Sequence, residues 1–458
     1  MTDLAQPAER FRAVAAEALG DAHKQGALDQ ATERLMSGRV DAWAALTDVE
    51  ELRTRAYEAR MRVVRDLDAH VERFKATAEA AGATVHLAAT AEEAAARVLE
   101  ICDRVGAKLA AKSKSMLSEE IGLNDALERA GIRAVETDLG EYILQLAGEH
   151  PVHIIVPAIE KTAEDAAALL GAVEGKELPA EVEPLLQAAR RQLRETFLAA
   201  DVGITGANFG VCDTGSICLV SNEGNARLVS SLPRVHIALI GKERLVESLD
   251  DLALMLRLLA RSATGQQLTS YTTLITGPRR PGEQDGPEEL HLVVVDNGRS
   301  KLVGGRYEEM LACIRCGACL NVCPIYRKSG GGAYSGVYSG PMGAVLLPLL
   351  TGLEHAPALP HASSLCGACT DACPVKIPLH ELLLELRADL VEQHAGSRLE
   401  RLAFTLWSYA WSTRIGYRVT TRLARLGQPF ATLAGPGRTW ARAGRAIPAL
   451  ARRPFRAR

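Results

Sequence analysis

The chain has 458 residues, of which 24% are charged and 47% hydrophobic, and its formal net charge is −3. This length predicts two or three domains rather than one, each with its own core. No apolar run reaches the roughly 18 to 20 residues that span a bilayer, and the opening "MTDLAQPAERFRAV" has no signal-peptide pattern. The composition therefore argues against a secreted disulfide framework or an integral membrane protein, and we expect a cytoplasmic location.

The first predicted segment, residues 1–80, is helical. Glu, Arg and Ala predominate, and apolar residues such as Met61, Val64 and Leu67 recur at spacings of three to four residues. No motif with recognisable chemistry is found in this segment.

Residues 81–303 are predicted to form an α/β domain, because short apolar runs alternate with amphipathic helices. The runs are "ATVHLA", "IRAVET", "VHIIVPA", "SICLVSN", "VHIALIG", "TTLIT" and "LHLVVVD". Such alternation is typical of a largely parallel sheet covered by helices. Cys102 falls on the apolar face of the first helix between these runs, and we expect it to be a small buried hydrophobe.

A Gly-rich stretch within this domain, "GITGANFGVCDTGSICLVSNEGNARLV", covers residues 203–229. Such loops bring backbone N–H groups close to an anion or cofactor, and Asp213, Thr214, Asn222 and Glu223 are the candidate cofactor contacts. Tight turns between strands explain the same residues. No G-x-G-x-x-G after a strand and no Walker lysine is present, so nothing predicts a dinucleotide or nucleotide.

Two lysines and three histidines of this domain are further candidates for ligand binding. Lys112 and Lys114 could bind an anion, although exposed lysines at a strand end are the commoner case and the one we expect here. His86, His153 and His236 lie in apolar runs and are expected to be core histidines rather than ligands.

Seven of the ten cysteines fall between residues 313 and 373, inside the predicted third segment, residues 304–395. "CIRCGACLNVCP" has the spacing C-x2-C-x2-C-x3-C-P, in which three cysteines bind one iron–sulfur cluster and the fourth binds another. A second motif is therefore required, and "CGACTDACP" supplies it. The predicted ligands are Cys313, Cys316, Cys319 and Cys373 for cluster 1, and Cys323, Cys366 and Cys369 for cluster 2.

The second cluster lacks one cysteine, because residue 363, at the position of the missing ligand, is a serine. Cluster 1 is expected to be [4Fe–4S]. Cluster 2 is either [3Fe–4S] or [4Fe–4S] with a fourth ligand other than these cysteines, namely Ser363, another oxygen ligand, or Cys212 or Cys218. Structural zinc is the alternative to both clusters, but a zinc ribbon needs two cysteine pairs and neither a third consecutive thiol nor a trailing Pro.

The fourth segment, residues 396–458, is basic and rich in Trp. From Arg398 onward it holds thirteen Arg, no Lys and one acid, Glu400. Trp407 and Trp411 alternate with arginines in a pattern that suits an anionic membrane surface. Docking on an acidic partner and a solvated end remain alternatives, and nucleic acid is not expected because no nucleic-acid-binding fold accompanies the charge.

Residues 60–450 resemble the lactate utilisation protein B family (LutB, also called YkgF). The matching stretches are "AKSKSMLSEEIGLN", "ETDLGEYILQL", "GANFGVCDTGSICLVSNEGN", "CIRCGACLNVCPIYR", "YSGVYSGPMGAVLLPLL" and "SLCGACTDACPVKIPLHELL". The resemblance implies a lactate-utilisation domain of NagB/RpiA/CoA-transferase-like α/β fold, followed by an α-helical two-cluster ferredoxin-type module. It also implies seven cluster cysteines, so that Ser363 is not peculiar to this chain.

The same resemblance implies work with LutA-like and LutC-like partners to oxidise L-lactate to pyruvate. Because the cysteine motifs bring no acid, base or nucleophile, we expect a non-catalytic electron-transfer component of an oxidoreductase complex. A peripheral site at the inner face of the membrane or a quinone-linked acceptor would suit the tail. Two alternatives stay open: the α/β domain itself oxidises lactate, or the protein is a structural metal-binding regulatory module whose tail binds nucleic acid.

Overall fold

The computed structural model describes residues 8–334, 336–393, 398–430, 446 and 449–451. The chain divides into two compact units, the first ending at Ala388 and the second beginning at Asp389. Both the α/β domain and the seven clustered cysteines belong to the first unit. The segment boundaries predicted at residues 80, 303 and 395 stay predictions.

Four helices open the described chain, as the sequence predicts. They are α1 (Ala8–Gly20), α2 (Ala22–Ala44), α3 (Val49–Arg65) and α4 (Leu67–Ala80). The Asp21 side chain caps α2 by accepting the backbone N–H groups of His23 and Lys24. Helices α2 and α3 pack against both the α/β region and the cysteine-bearing region.

Ten strands follow between residues 84 and 295. They are β1 (Thr84–Ala88), β2 (Leu109–Lys112), β3 (Arg133–Glu136), β4 (Val202–Gly206), β5 (Phe209–Val211), β6 (Ser216–Ser221), β7 (Val235–Gly241), β8 (Leu245–Val246), β9 (Tyr271–Ile275) and β10 (Glu289–Val295). Six of them form a wholly parallel sheet in the order β1-β10-β7-β4-β2-β3. The other four form a second, mixed sheet in the order β8-β5-β6-β9.

Eight helices lie between these strands. They are α5 (Ala91–Arg104), α6 (Met116–Glu120), α7 (Leu123–Arg129), α8 (Leu139–Ala147), α9 (Ala163–Glu174), α10 (Val182–Ala199), α11 (Asn225–Ser231) and α12 (Leu249–Ala263). Successive residues of a strand point to opposite faces of the sheet. Ile237 and Leu239 of β7 therefore join a core with α5, α6 and α7, while Ala238 and Ile240 join a core with α4. Cys102 lies fully buried in the first of these cores, as predicted.

The described residues beyond Val295 contain no β-strand, in agreement with the predicted helical module. The helices are α13 (Ala318–Asn321), α14 (Tyr326–Ser329), α15 (Gly340–Thr351), α16 (Ala368–Asp371), α17 (Leu379–Glu392), α18 (Arg398–Ser412) and α19 (Arg414–Gly427). The predicted fold class is thus confirmed: a parallel α/β domain is followed by an α-helical module.

One predicted strand is wrong. The run "VHIIVPA", residues 152–158, forms turns and irregular backbone. The backbone N–H groups of Ile155 and Val156 donate hydrogen bonds to the His153 ring instead of to a neighbouring strand. The Val152 carbonyl accepts hydrogen bonds from Tyr326 and Ser339 of the helical module. The apolar residues of this run are therefore partly buried against the module rather than in a sheet.

The second unit contains α18 and α19, which pack against each other. Trp411 lies between Trp407 and Tyr417, with ring centroids 5.0 Å from each. Leu399, Tyr409 and Ile415 are largely exposed, so apolar side chains and arginines share the surface of these helices. In the part of the chain that the structure describes, no helix is both long and apolar enough to cross a membrane.

Candidate functional site

The two cysteine motifs follow the same backbone path at an offset of fifty residues. We call residues 313–323 the proximal loop and residues 363–373 the distal loop. Arg315 and Leu365, one residue before a cysteine in each loop, have φ angles of 59° and 55°. Gly317 and Gly367 have φ angles of 74° and 82°, and each precedes a four-residue helix, α13 or α16. The matched left-handed residues indicate one repeated ligand-presenting turn.

The structure brings the predicted ligands of cluster 1 together. Cys313, Cys316 and Cys319 of the proximal loop and Cys373 of the distal loop line one small cavity. All four are buried, and apolar side chains complete the walls. Burial and the charges of Cys373 and Cys313 raise the pKa of Cys316, which places these sulfurs within electrostatic reach of one another.

The predicted ligands of cluster 2 also lie near one another. Burial raises the pKa of Cys323, and Cys366 adds to this effect. Burial, followed by the charges of Cys323 and Cys366, raises the pKa of Cys369 to about 11. Cys366 is exposed, and the backbone N–H of Ala368 and the Ser364 side chain lower its pKa. Cys323 and Cys369 are buried, so the second group differs from the first in having one cysteine, Cys366, at the surface.

Ser363 occupies the position in the distal loop that Cys313 occupies in the proximal loop. The Ser363 Oγ accepts the backbone N–H of Leu365 at 3.1 Å, and the Cys313 Sγ accepts that of Arg315 at 3.5 Å. Arginines hold both backbones in the same way. Arg387 donates to the Ser363 carbonyl at 3.0 Å, and Arg244 donates to the Cys313 carbonyl at 2.7 Å.

The donor types of the two groups are those of iron–sulfur clusters, and their assignment as ligands stays a prediction. Four thiols around one cavity match the ligand set of a [4Fe–4S] centre. Three thiols and a serine hydroxyl match either a [3Fe–4S] centre or a fourth iron held by oxygen. Cys212 follows β5 and donates to the His70 carbonyl at 3.5 Å, and Cys218 lies within β6. Both are buried in the α/β domain and belong to neither group.

Three buried arginines outside the motifs hold the backbone around the first group. Arg53 donates to the Cys373 carbonyl at 2.8 Å, and Arg244 donates to the Ile314 carbonyl at 3.2 Å. Arg60 donates to the carbonyls of Leu311 and Ala312, and to those of Glu243 and Leu245. Burial lowers the pKa of Arg60 to about 9 and that of Arg244 to about 10. Even so, both stay cationic at neutral pH beside the cysteines.

None of these arginines is among the predicted site residues, although the sequence contains a signal for two of them. Arg53 and Arg60 are seven residues apart on α3, among buried residues such as Leu52, Ala56 and Val63. A charged residue at an apolar position of an amphipathic helix indicates a buried polar contact. The sequence alone does not show that the contact is made to the cysteine loops.

His153 is a buried histidine with every ring nitrogen satisfied, as expected. Its Nδ1 accepts the N–H groups of Ile155 and Val156, so its Nε2 carries the proton and donates to Asn321 Oδ1 at 3.1 Å. Burial lowers the pKa of His153 to about 3. A Cβ added to Gly317 would approach its ring to 3.4 Å. His153 therefore fixes the loop that packs against the proximal loop.

The candidate contacts of the Gly-rich stretch are not brought together. Asn222 and Glu223 line a cavity at the carboxyl end of the parallel sheet. Asp213 forms an ion pair with Arg73, and Thr214 donates to Ser216 in the turn between β5 and β6. The two pairs are separated by the length of β6, so one ligand of modest size does not contact all four.

The expectation that Lys112 is exposed is wrong. Its side chain is 1% exposed, its Nζ donates to Glu136 at 2.6 Å, and it also contacts Asn124. Burial opposes its charge, but Glu136 and Glu119 hold its pKa above the ordinary value. Lys114, two residues further on, is half-buried and lines the same cavity as Asn222 and Glu223.

The fold and the cysteine groups together define a class: an α/β protein joined to a ferredoxin-type module with two groups of cysteines. Comparisons with protein families agree. Residues 71–295 match the LUD domain, and residues 309–377 match a 4Fe-4S dicluster domain. Among solved structures, a DUF162 family protein from Deinococcus radiodurans is 13% identical and covers 50% of this chain and 98% of its own. Its TM-score of 0.28 is too low to bear on the fold.

Curated relatives of high sequence identity show which family the chain belongs to. Lactate utilization protein B of Bacillus licheniformis is 46% identical over 91% of this chain and 88% of its own. The protein of the same name from Shouchella clausii is 48% identical over 88% and 86%, and that from Macrococcus caseolyticus is 46% identical over 92% and 89%. The chain belongs to the lactate utilization protein B family.

Proposed function

We propose that this protein is the iron–sulfur electron-transfer component of a multi-protein system that oxidises L-lactate to pyruvate. The observation that supports the proposal is the pair of repeated cysteine loops, in which four buried thiols line one cavity and a second group of three thiols has one exposed member, Cys366. Lactate oxidation releases two electrons and two protons, and iron–sulfur clusters pass electrons singly. The name shared by the relatives supports lactate as the substrate of the system.

The ligand assignment is part of this proposal. Cluster 1 takes three cysteines of the proximal loop and Cys373, and cluster 2 takes Cys323, Cys366 and Cys369. We propose Ser363 as the oxygen ligand of cluster 2, because its Oγ accepts the same backbone hydrogen bond as the Cys313 sulfur. A [3Fe–4S] centre is the outcome if the Ser363 oxygen does not bind iron.

The environment of each group suggests its place in an electron path. The first group is buried and adjoins the α/β domain through Arg244 and Arg315. In the second group, Cys366 is exposed, so an electron partner can approach it closely. Electrons from lactate would therefore leave or enter the protein at the second group. LutA-like and LutC-like proteins are the partners that the family suggests.

Reconstitution tests this function. The protein is purified anaerobically, its iron, acid-labile sulfide and zinc are measured, and L-lactate turnover is followed with an artificial acceptor. We expect iron and sulfide, no activity from the protein alone, and activity when LutA-like and LutC-like proteins are added. Zinc alone would favour the structural-metal alternative. Turnover by the isolated protein would favour an α/β domain that itself oxidises lactate.

The second unit is the candidate contact with a membrane or a partner. Exposed apolar residues on α18 and α19, such as Trp407, Ile415 and Leu426, lie among the arginines of these helices. A chain that ends at residue 393 should keep its clusters. If the tail binds an anionic surface, this shortened chain no longer sediments with vesicles of anionic phospholipid, whereas the full chain does. If the tail instead docks on an acidic subunit, only complex formation is lost.

A further inference from the structure

The cavity at the carboxyl end of the parallel sheet lies where ligands usually bind in α/β folds. From β2 the chain moves to β3 at one edge of the sheet, and from β4 it moves to β7 on the other side. A crevice forms at such a reversal, outside the carboxyl ends of the neighbouring strands. The cavity is lined by Ser113 and Lys114, which follow β2, and by Gly206 and Asn208 at the end of β4. Its volume is about 270 Å³.

Lys114 provides a positive charge in this cavity that no described residue contacts directly, although Asp138, Glu141 and Glu223 lie within electrostatic reach. It makes no hydrogen bond or ion pair with the residues that the structure describes, although it is half-buried. Lys112, on the same segment, is paired with Glu136 at 2.6 Å. Burial lowers the pKa of Lys114, so its ammonium is incompletely solvated. A desolvated ammonium that makes no direct hydrogen bond leaves its N–H groups available to an anionic ligand.

Arg315 provides a second donor, contributed by the proximal loop. Its Nη2 donates to Glu243 at 3.1 Å, whereas its Nη1 is buried without a hydrogen-bond partner among the described residues. The same side chain lines the small cavity of the first cysteine group. One arginine thus borders both the α/β cavity and the cysteines.

The charge and size of the cavity restrict the ligand. Four cationic side chains (Lys114, Arg244, Arg299 and Arg315) and three acidic ones (Asp138, Glu223 and Glu243) line it. Burial and Asp138 raise the pKa of Glu223 to about 7, so part of its negative charge is lost at neutral pH. The volume is below the usual range of about 300 to 1,000 Å³ for drug-sized ligands. These properties favour a small anion over a dinucleotide.

We propose that this cavity binds a small carboxylate anion, with Lys114 and Arg315 Nη1 as the donors to the carboxylate oxygens. Ammonium and guanidinium groups form charge-assisted hydrogen bonds with carboxylates. Because Arg315 borders both cavities, a bound anion adds negative charge beside the first cysteine group. The choice of L-lactate and pyruvate as probes, and of cluster potentials as a readout, rests on the proposed function.

Calorimetric titration of the anaerobically purified protein with its clusters tests the site. The probes are the sodium salts of L-lactate, pyruvate and phosphate, and the variants are Lys114→Met and Lys108→Met. Lys108 is the matched control, since it is exposed and precedes β2 at the opposite end of the strand. We expect the wild type and Lys108→Met to bind L-lactate or pyruvate. Lys114→Met should bind the same anion roughly tenfold more weakly, because it lacks one charge-assisted hydrogen bond.

Several results would overturn the proposal. The first is that neither carboxylate binds at concentrations well above about 1 mM, the upper end of common substrate affinities. The second is that Lys114→Met binds the carboxylate as tightly as the wild type. The third is that phosphate binds as tightly as the carboxylates. If Lys114→Met does not fold, redox titration of the wild type with and without the anion decides. We expect a lower reduction potential for the first cluster and an unchanged one for the second, and a shift confined to the second would contradict the site.

The proposed function is tested separately on the same samples. A protein that carries both clusters and supports lactate turnover with its partners, yet binds no carboxylate by itself, overturns only the cavity proposal. A protein without iron overturns the proposed function, and its calorimetric titration still reports on the cavity.

Discussion

The proximal and distal loops share one backbone geometry but differ in their surroundings. Both present a left-handed residue, a left-handed glycine and a short helix in the same order. The proximal cysteines are buried and held by arginines from α3 and from the α/β domain, whereas the distal loop begins with Ser363 and has an exposed cysteine at 366. Reduction potentials depend on ligand type, net charge, hydrogen bonds to sulfur and exposure. The two loops are therefore expected to hold clusters with different redox behaviour.

The largest effect is expected from breaking the exchange of cysteines between loops. Cys373→Ala should eliminate the cluster of the proximal cysteines, because Cys373 lines their cavity. Cys323→Ala should eliminate the cluster of the distal cysteines. Iron content and electron paramagnetic resonance of the two variants measure this: each loses one signal, and the lost signal belongs to the opposite loop. Loss of the cluster of the mutated loop itself would contradict the exchange.

Removing an arginine that holds the proximal loop should cost folding stability. Arg60→Met removes the hydrogen bonds that the carbonyls of residues 243, 245, 311 and 312 accept from the Arg60 guanidinium. We expect the free energy of unfolding to fall by on the order of 3 kcal/mol. Urea unfolding measures it, and Arg55→Met, an exposed position on the same helix, is the control. Equal stability of the two variants would show that Arg60 does not support the loop.

Restoring the missing cysteine should make the two loops more alike. If the Ser363 oxygen binds iron, Ser363→Cys gives an ordinary second [4Fe–4S] spectrum with an altered potential, because a thiolate replaces the oxygen. Ser363→Ala then leaves three ligands and favours a [3Fe–4S] signal. Electron paramagnetic resonance compares both with the wild type. Identical spectra in all three proteins would mean that residue 363 does not face the iron.

A smaller effect is expected from acidification, through the histidine beside the proximal loop. The folded protein holds the pKa of His153 at about 3, below its ordinary value of about 6.5. The unfolded chain therefore takes up a proton first, and the stability from neutral His153 is present above pH 6.5 and is lost as the pH falls toward 3.

The slope of this loss is up to about 1.4 kcal/mol per pH unit for one histidine. His236, whose pKa burial also lowers to about 3, adds a similar slope. His153→Gln should remove about half of the combined slope between pH 6.5 and 5.5, measured by urea unfolding. The exposed His355→Gln should keep the full slope. An unchanged slope in His153→Gln would contradict a neutral buried ring.

The fold could be predicted well from the sequence where its patterns are local. Helices α1 to α5 and strands β7 and β10 follow from periodicity and apolar runs. Residues 152–158 could not be predicted, because tertiary contacts with Tyr326 and Ser339 replace strand pairing. Strands β4 and β5 are in none of the predicted apolar runs, because they lie at the Gly-rich stretch, whose residues favour loops and tight turns.

The candidate site was predictable to the same degree. The spacing of the cysteines predicts both groups, and the exchange of Cys323 and Cys373 between the loops stays a prediction. Burial of Lys112 and the roles of Arg60 and Arg244 were not predictable, because their partners lie far away in the sequence. The ends of separate parallel strands create the cavity beside Lys114, and only the strand order brings them together.

The proposed electron transfer depends on two unequal iron–sulfur clusters in the two repeated loops. A redox titration of the anaerobically purified wild type, followed by electron paramagnetic resonance, tests it most directly. We expect two signals with separate midpoint potentials. The cluster near Arg53, Arg60, Arg244 and Arg315 should be reduced at the higher potential, because cations stabilise the added electron. A single signal, two identical signals, or a protein that contains zinc without iron would contradict it.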